Sequence, residues 1–117
     1  MQQRTVEIVK NKAGGKGTIQ IERLMNEGQL GDKAKMYAKV TIDPHSSIGV
    51  HEHSEDTESY YILSGCGIYT DNDQTYPIKA GDLLFCDVNH CHGLENPTDE
   101  PLIFMALILN KKSEANA

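Results

Sequence analysis

Basic residues are scarce and scattered in this chain. Eleven Lys and Arg stand against seventeen Asp and Glu, a formal net charge of -6, and no basic run is longer than Lys111–Lys112. A phosphate backbone or an anionic membrane surface needs a clustered positive face, so nucleic acid and membrane are excluded as partners. Long apolar runs are missing too: nothing approaches the ~20 residues that span a bilayer. The opening M-Q-Q-R-T-V-E lacks the apolar core of a secretion signal, and a cytoplasmic location is expected. Cysteine is limited to Cys66, Cys86 and Cys91, an odd number at no zinc-ribbon spacing. That argues against a disulfide framework and for reduced thiols, with Cys86 and Cys91 as small core fillers. No nucleophilic Ser-His pair or cofactor fingerprint is present, and N-K-A-G-G-K-G (11–17) lacks the Lys-Ser/Thr ending of a phosphate loop. With 117 residues there is room for one core and none for a second domain.

What is present is a series of short strand-like runs: T-I-Q-I-E-R-L-M (18–25), K-M-Y-A-K-V-T-I (35–42), S-Y-Y-I-L (59–63), G-I-Y-T (67–70), D-L-L-F-C (82–86) and L-I-F-M-A-L-I-L (102–109). They are rich in β-branched, aromatic and aliphatic residues. Turn chemistry separates them, with D-N-D (71–73) placed as a hairpin turn and Asp43-Pro44, Gly65, Ala80-Gly81 and Asn96-Pro97 at other reversals. No 3.6-residue apolar stripe persists for three turns. Many short strands without intervening helices predict an all-β sandwich or barrel. The expected organisation is a flexible lead-in over 1–17, a β-barrel domain over 18–110 and a frayed tail over 111–117.

Five histidines occur, and two of them open the stretch V-H-E-H-S-E-D-T-E (50–58). On a strand, side chains two apart share a face, so His51 and His53 aim at one place. The wider pattern is H45-x5-H51-x-H53-x4-E58-x6-G65 followed by G81-x5-D87-x-N89-x2-H92-x3-N96, with fifteen residues between Gly65 and Gly81. This resembles the two motifs of the cupin superfamily, in particular short bacterial single-domain cupins of the mannose-6-phosphate-isomerase-like type. The resemblance runs from about residue 36 to about residue 109. It implies a double-stranded β-helix, a jelly-roll-like barrel. Three positions depart from the family pattern: His45 and Asn89 stand where it has glycine, and Asp87 where it has proline. All three lie at turns, where Asn tolerates the positive φ that glycine otherwise supplies.

The chemistry of these residues points the same way. His51 and His53 on one strand, Glu58 at the start of the next and His92 on a later one offer three imidazoles and one carboxylate, a set suited to one first-row divalent ion per subunit. Mn, Fe, Zn, Ni, Co and Cu are not distinguished. In an octahedral arrangement, four protein ligands leave two positions for a small oxygen-rich ligand. With Glu58 inward, alternation turns Tyr60 and Ile62 inward and Tyr61 and Leu63 outward. Tyr60 then either donates its hydroxyl to a bound ligand or packs near the barrel mouth. Arg23 and Lys39 are further substrate-binding candidates, as the cations that can reach the interior. Glu55 and Asp56 either reach the metal as acid or base or form a solvated loop. His90 is read as a rim residue, His45 as a surface residue and Asn96 as a turn former.

The expected function is that of a metal-binding cupin enzyme acting on a small oxygen-rich metabolite as isomerase, decarboxylase or dioxygenase. The alternative is a non-catalytic small-ligand binding or sensing module. Oxalate-decarboxylating cupins place an arginine shortly before their H-x-H, where this chain has S-S-I-G-V (46–50), so that activity is disfavoured. Sheet edges at the terminal strands, and resemblance to single-domain cupins, predict a homodimer in which the 18–25 run crosses to a partner.

Overall fold

Alternation of apolar and polar side chains organises the molecule into two facing sheets. In the computed structural model, which describes residues 4–111, the strands are β1 (Val6–Lys10), β2 (Thr18–Arg23), β3 (Ala34–Ile42), β4 (Ser46–His53) and β5 (Asp56–Ser64), followed by β6 (Cys66–Asp71), β7 (Gln74–Lys79), β8 (Leu83–Cys86), β9 (His90–Asn96) and β10 (Leu102–Asn110). Helical structure among the described residues is a single-turn helix, Glu27–Leu30, and a 3-10 turn, Lys12–Gly14. No described helix is long and apolar enough to cross a membrane. One sheet has the order β1-β2-β3-β10-β5-β8 and the other β4-β9-β6-β7, with antiparallel pairing throughout.

The core lies between the sheets. Ile19, Ile21, Ala38, Val40, Ile42, Tyr60, Ile62, Phe104 and Ala106 come from the larger sheet, and Ile48, Tyr69, Ile78 and Leu94 from the smaller. Burying each large member stabilises the fold by about 1.5–3 kcal/mol. The predicted phase of β5 holds: Tyr60 and Ile62 are buried, whereas Tyr61 and Leu63 are exposed. D-N-D forms the predicted hairpin, with Asp71 opposite Gln74 and Asn72 in the left-handed region at φ 56. His45 and Asn89, which replace motif glycines, adopt that conformation as well, at φ 57 and 67. The turn geometry survives both substitutions. All three cysteines are free; Cys86 is a buried filler as expected, whereas Cys91 is only partly buried.

The lead-in differs from the expectation of flexibility. Val6–Lys10 is a strand paired with β2, and its side chains are mostly exposed, so it carries no apolar alternation to reveal it. Residues 11–17 are stitched to β4: Ser47 N–H donates to the Lys16 carbonyl (2.8 Å), Lys16 N–H to Ser47 Oγ (2.9 Å) and Thr18 N–H to Ser46 Oγ (3.0 Å). Here glycine is required by contact. A Cβ on Gly49 would strike the Ala13 carbonyl, and one on Gly15 the Ser47 carbonyl. β2 is not an edge free to cross to a partner, because it pairs with β1 and β3. Residues 112–117 of the expected tail lie outside the described residues.

Candidate metal centre

A change of phase in β4 aims its histidines. Ser46 and Ile48 point inward at even positions, but the β4–β9 register shifts between Ile48 and His51, and beyond the shift the odd positions His51 and His53 point inward. A bulge re-aims side chains in this way because one residue on its strand goes unmatched. Past it, His51 lies directly opposite His92 on β9, while Glu58 enters from β5 in the facing sheet. One donor atom from each of His51, His53, Glu58 and His92 falls within 4.8 Å of all the others. His53 Nε2 is 3.0 Å from both Glu58 Oε1 and His92 Nε2, His92 Nε2 is 3.1 Å from the same carboxylate oxygen, and His51 Nε2 is 3.9 Å from it.

The opposite nitrogen of each ring has its own partner. His51 Nδ1–H donates to the Gly49 carbonyl (2.8 Å) and His53 Nδ1–H to Asp56 Oδ1 (2.6 Å), while His92 Nδ1 lies 3.0 Å from the Tyr69 hydroxyl. With Nδ1 so engaged, the three Nε2 atoms are left facing one centre, the arrangement that metal-ligating histidines use. Burial alone would push the Glu58 pKa up, but hydrogen bonds with His51, His53 and His92 hold its carboxyl far below the usual range. The hydrogen bond to Glu58 raises the pKa of His53, whereas burial lowers that of His92. The donor set thus fits a divalent cation: an ionised carboxylate and imidazole nitrogens gathered where each would otherwise be costly to bury.

His51, His53 and Glu58 sit on the wall of a cavity of about 340 Å³, with His92 buried behind them. The rest of the lining is apolar apart from Lys12, Arg23 and Tyr60. Tyr60 is buried and lines the cavity. Its ring stacks on His92 (centroids 4.9 Å apart), and burial pushes its phenol pKa well above the usual range. Arg23 does line the cavity, with its Nε–H donated to Glu7 Oε1 (2.8 Å). Lys39 does not: Ala38, Val40 and Ile42 take the inward positions of β3, which turns Lys39 to solvent. The alternation of Met36, Ala38, Val40 and Ile42 against Lys35, Tyr37, Lys39 and Thr41 carries the same phase in the sequence.

Glu55 lines a separate cavity, and Asp56 lies behind His53 rather than at the centre. His90 is exposed near Asn72, and His45 pairs at the surface with Asp99 (2.6 Å). Asn96 is more than a turn former. Fully buried, it donates to the carbonyls of Ile42, Asp43 and Glu100 and accepts from Thr98. Sequence reasoning did not single out Lys12 or Tyr69; Tyr69 sits inward on β6, diagonal to His92, and only the cross-strand register reveals it.

Comparison with known proteins matches residues 38–108 to the family model described as "Cupin domain". A protein named "Oxalate-binding protein" from Thermotoga maritima is 39% identical over 105 residues, covering 90% of this chain and 87% of that one. A crystal structure described as a predicted oxalate decarboxylase from Thermotoga maritima superposes with a TM-score of 0.89 at 38% identity, covering 93% of this chain and 95% of that one. Another, of a putative sugar phosphate isomerase from Acidithiobacillus ferrooxidans, has a TM-score of 0.69 at 23% identity over 80% of this chain and 60% of that one, a likeness of fold alone.

Proposed function

The chain belongs to the cupin family, and from that premise we propose that His51, His53, Glu58 and His92 hold one divalent metal ion and that the adjoining cavity takes up a small oxygen-rich anion of the oxalate type. The observation that carries this reading is the convergence of three Nε2 atoms and one carboxylate oxygen within 4.8 Å, three of the four residues lining an otherwise largely apolar cavity. A divalent ion so held supplies a Lewis-acidic point for two oxygens of such an anion. Lys12 and Arg23 add positive charge to the wall, Tyr60 remains protonated as a hydrogen-bond donor, and the aliphatic lining excludes water. The likeness to a protein named for oxalate binding supports this ligand class.

Binding without turnover is the reading favoured over catalysis. Beyond His51, His53 and Glu58, the cavity lining offers no carboxylate or imidazole to move a proton, and Asp56 is engaged elsewhere. The decarboxylase reading draws on the fold and identity shared with the predicted oxalate decarboxylase, against the missing arginine before H-x-H. Calorimetric titration of oxalate into Mn²⁺-loaded and metal-free protein tests the proposal, with a parallel assay for formate. The expected result is binding to the loaded form alone and no formate. Equal binding to both forms, or to neither, overturns the ligand reading, and formate production establishes the enzyme.

We also propose a homodimer, with a second copy covering the β8 edge. Leu83 and Phe85 on that edge strand are 67% and 55% exposed, and Tyr61, directly opposite Leu83 on β5, is exposed beside them. An unpaired edge bearing large apolar side chains invites a twofold contact. Light scattering is expected to give twice 13.0 kDa for the parent and 13.0 kDa for Leu83→Glu; a parent mass of 13.0 kDa at all concentrations rejects the dimer.

A further inference from the structure

The acidic residue nearest the metal centre that does not join it is Asp56, and its two oxygens face opposite ways. Oδ1 accepts from His53 Nδ1–H at 2.6 Å, while Oδ2 accepts from Lys35 Nζ at 2.8 Å. The series continues through the ring to His53 Nε2, 3.0 Å from Glu58 and from His92. Neither of the other two imidazoles has a charged group on its Nδ1: His51 uses the Gly49 carbonyl and His92 the Tyr69 hydroxyl. Asp56 is buried, whereas Lys35 is half exposed on the wall of a second cavity of about 590 Å³.

The backbone holds this arrangement in place. His53 and Asp56 flank the two-residue turn Ser54–Glu55 that joins β4 to β5. Asn89 N–H donates to the His53 carbonyl (2.6 Å) and Lys111 N–H to the Glu55 carbonyl (3.1 Å), so both ends of the turn are pinned. With the backbone pinned, the carboxylate keeps rotation about its Cα–Cβ and Cβ–Cγ bonds, and Lys35 restrains both by binding the oxygen that faces away from His53.

We propose that Asp56 and Lys35 are positioning residues for the metal centre: Asp56 keeps His53 in the Nδ1–H tautomer with Nε2 turned to the ion, and Lys35 keeps the Asp56 carboxylate turned to His53. The inference rests on the metal reading above. A carboxylate on the far nitrogen of a ligating imidazole fixes the ring and raises its donor strength. Asparagine at 56 cannot reproduce this. If its oxygen accepts from His53, its NH₂ meets the Lys35 ammonium, donor against donor.

The test is Co²⁺ affinity by competition titration for the parent, Asp56→Asn, Lys35→Met and Lys35→Arg, with long-range ¹H–¹⁵N spectra of the zinc-loaded proteins. Asp56→Asn is expected to bind Co²⁺ about 10- to 100-fold more weakly, and Lys35→Met about tenfold or less more weakly. Lys35→Arg is expected to restore parental affinity to within about twofold, since it keeps a donor for Oδ2. The deshielded Nδ1 proton of His53 should be present in the parent and shifted upfield in Asp56→Asn, a change that loss of packing alone would not produce. Lys35→Met alters a half-exposed side chain and so reads the same contact without endangering the fold. If Asp56→Asn and Lys35→Met both match the parent, the positioning role is overturned alone. If the parent itself fails to bind Co²⁺, the metal reading falls and this inference with it.

Discussion

His92 and His51 face each other across one strand pair, yet they belong to different environments. The His92 side chain is 1% exposed, stacked on Tyr60 and bonded at Nδ1 by Tyr69, so it is a core residue as well as a candidate ligand. The His51 side chain is 28% exposed, fronts the cavity and is steadied by a backbone carbonyl of its own strand. One wall of the centre is thus built into the fold and the other is open to what enters. On the proposed reading a ligand would meet the centre from the His51 side, and the structural cost of altering the centre falls on the His92 side.

The largest expected effect separates the two walls directly. Either His92→Ala or His51→Ala should abolish tight metal binding, since each removes one of four donors. Their metal-free stabilities should differ: about 2–4 kcal/mol lost for His92→Ala, which opens a void beside Tyr60 and leaves the Tyr69 hydroxyl without its partner, and less than about 1 kcal/mol for His51→Ala. Urea titration of the metal-free variants measures this, and equal losses would break the contrast. A smaller effect is expected for Tyr69→Phe, which keeps the ring and removes only the bond to His92 Nδ1. Metal affinity should fall about tenfold and stability by about 1 kcal/mol; an unchanged affinity would show that stacking on Tyr60 orients His92 by itself.

Acidity gives the finest distinction. The hydrogen bond to Glu58 raises His53 above the ordinary 6.5, while burial lowers His92 below it. A ring with a raised pKa keeps its proton to higher pH, and metal uptake must displace that proton. Co²⁺ affinity measured between about pH 8 and pH 5 should therefore begin to fall above 6.5, the unperturbed imidazole value. A decline confined below 6.5 would mean that burial governs both rings.

The donor set was legible because it depends on period and spacing: H-x-H places two rings on one face, and alternation from Glu58 brings in Tyr60. The β4 bulge was not, because nothing local marks the point at which Ile48 and His51 come to share a face. Lys39 faces outward because the apolar phase of β3 is Met36, Ala38, Val40 and Ile42, whose packing against the core is readable from alternation and outweighs the charge of Lys39. Asp56, read as either reaching the metal or lying in a solvated loop, does neither: it is buried behind His53 and paired with Lys35, distant in sequence and adjacent in space. Tyr69 likewise reaches His92 only through the β6–β9 register. The glycine-rich segment looked like a linker because its fastening is backbone to β4, and backbone contacts leave little trace in side-chain pattern.

The position of β10 bears on how the protein comes to be assembled. It is the last described strand in sequence, yet it lies between β3 and β5, joining the hairpin side of the large sheet to the strand that carries Glu58. Such non-local pairing makes folding slow, on the order of milliseconds to seconds for β-rich topologies, because loop-closure entropy is lost before the contacts that offset it form. Until β10 inserts, β5 has no fixed relation to β3, and the sheet carrying Glu58 cannot be docked on the one carrying the histidines. The four donors therefore cannot act as a nucleus that gathers ions early, and on the proposed metal reading, loading would be a late event that follows closure of the two sheets.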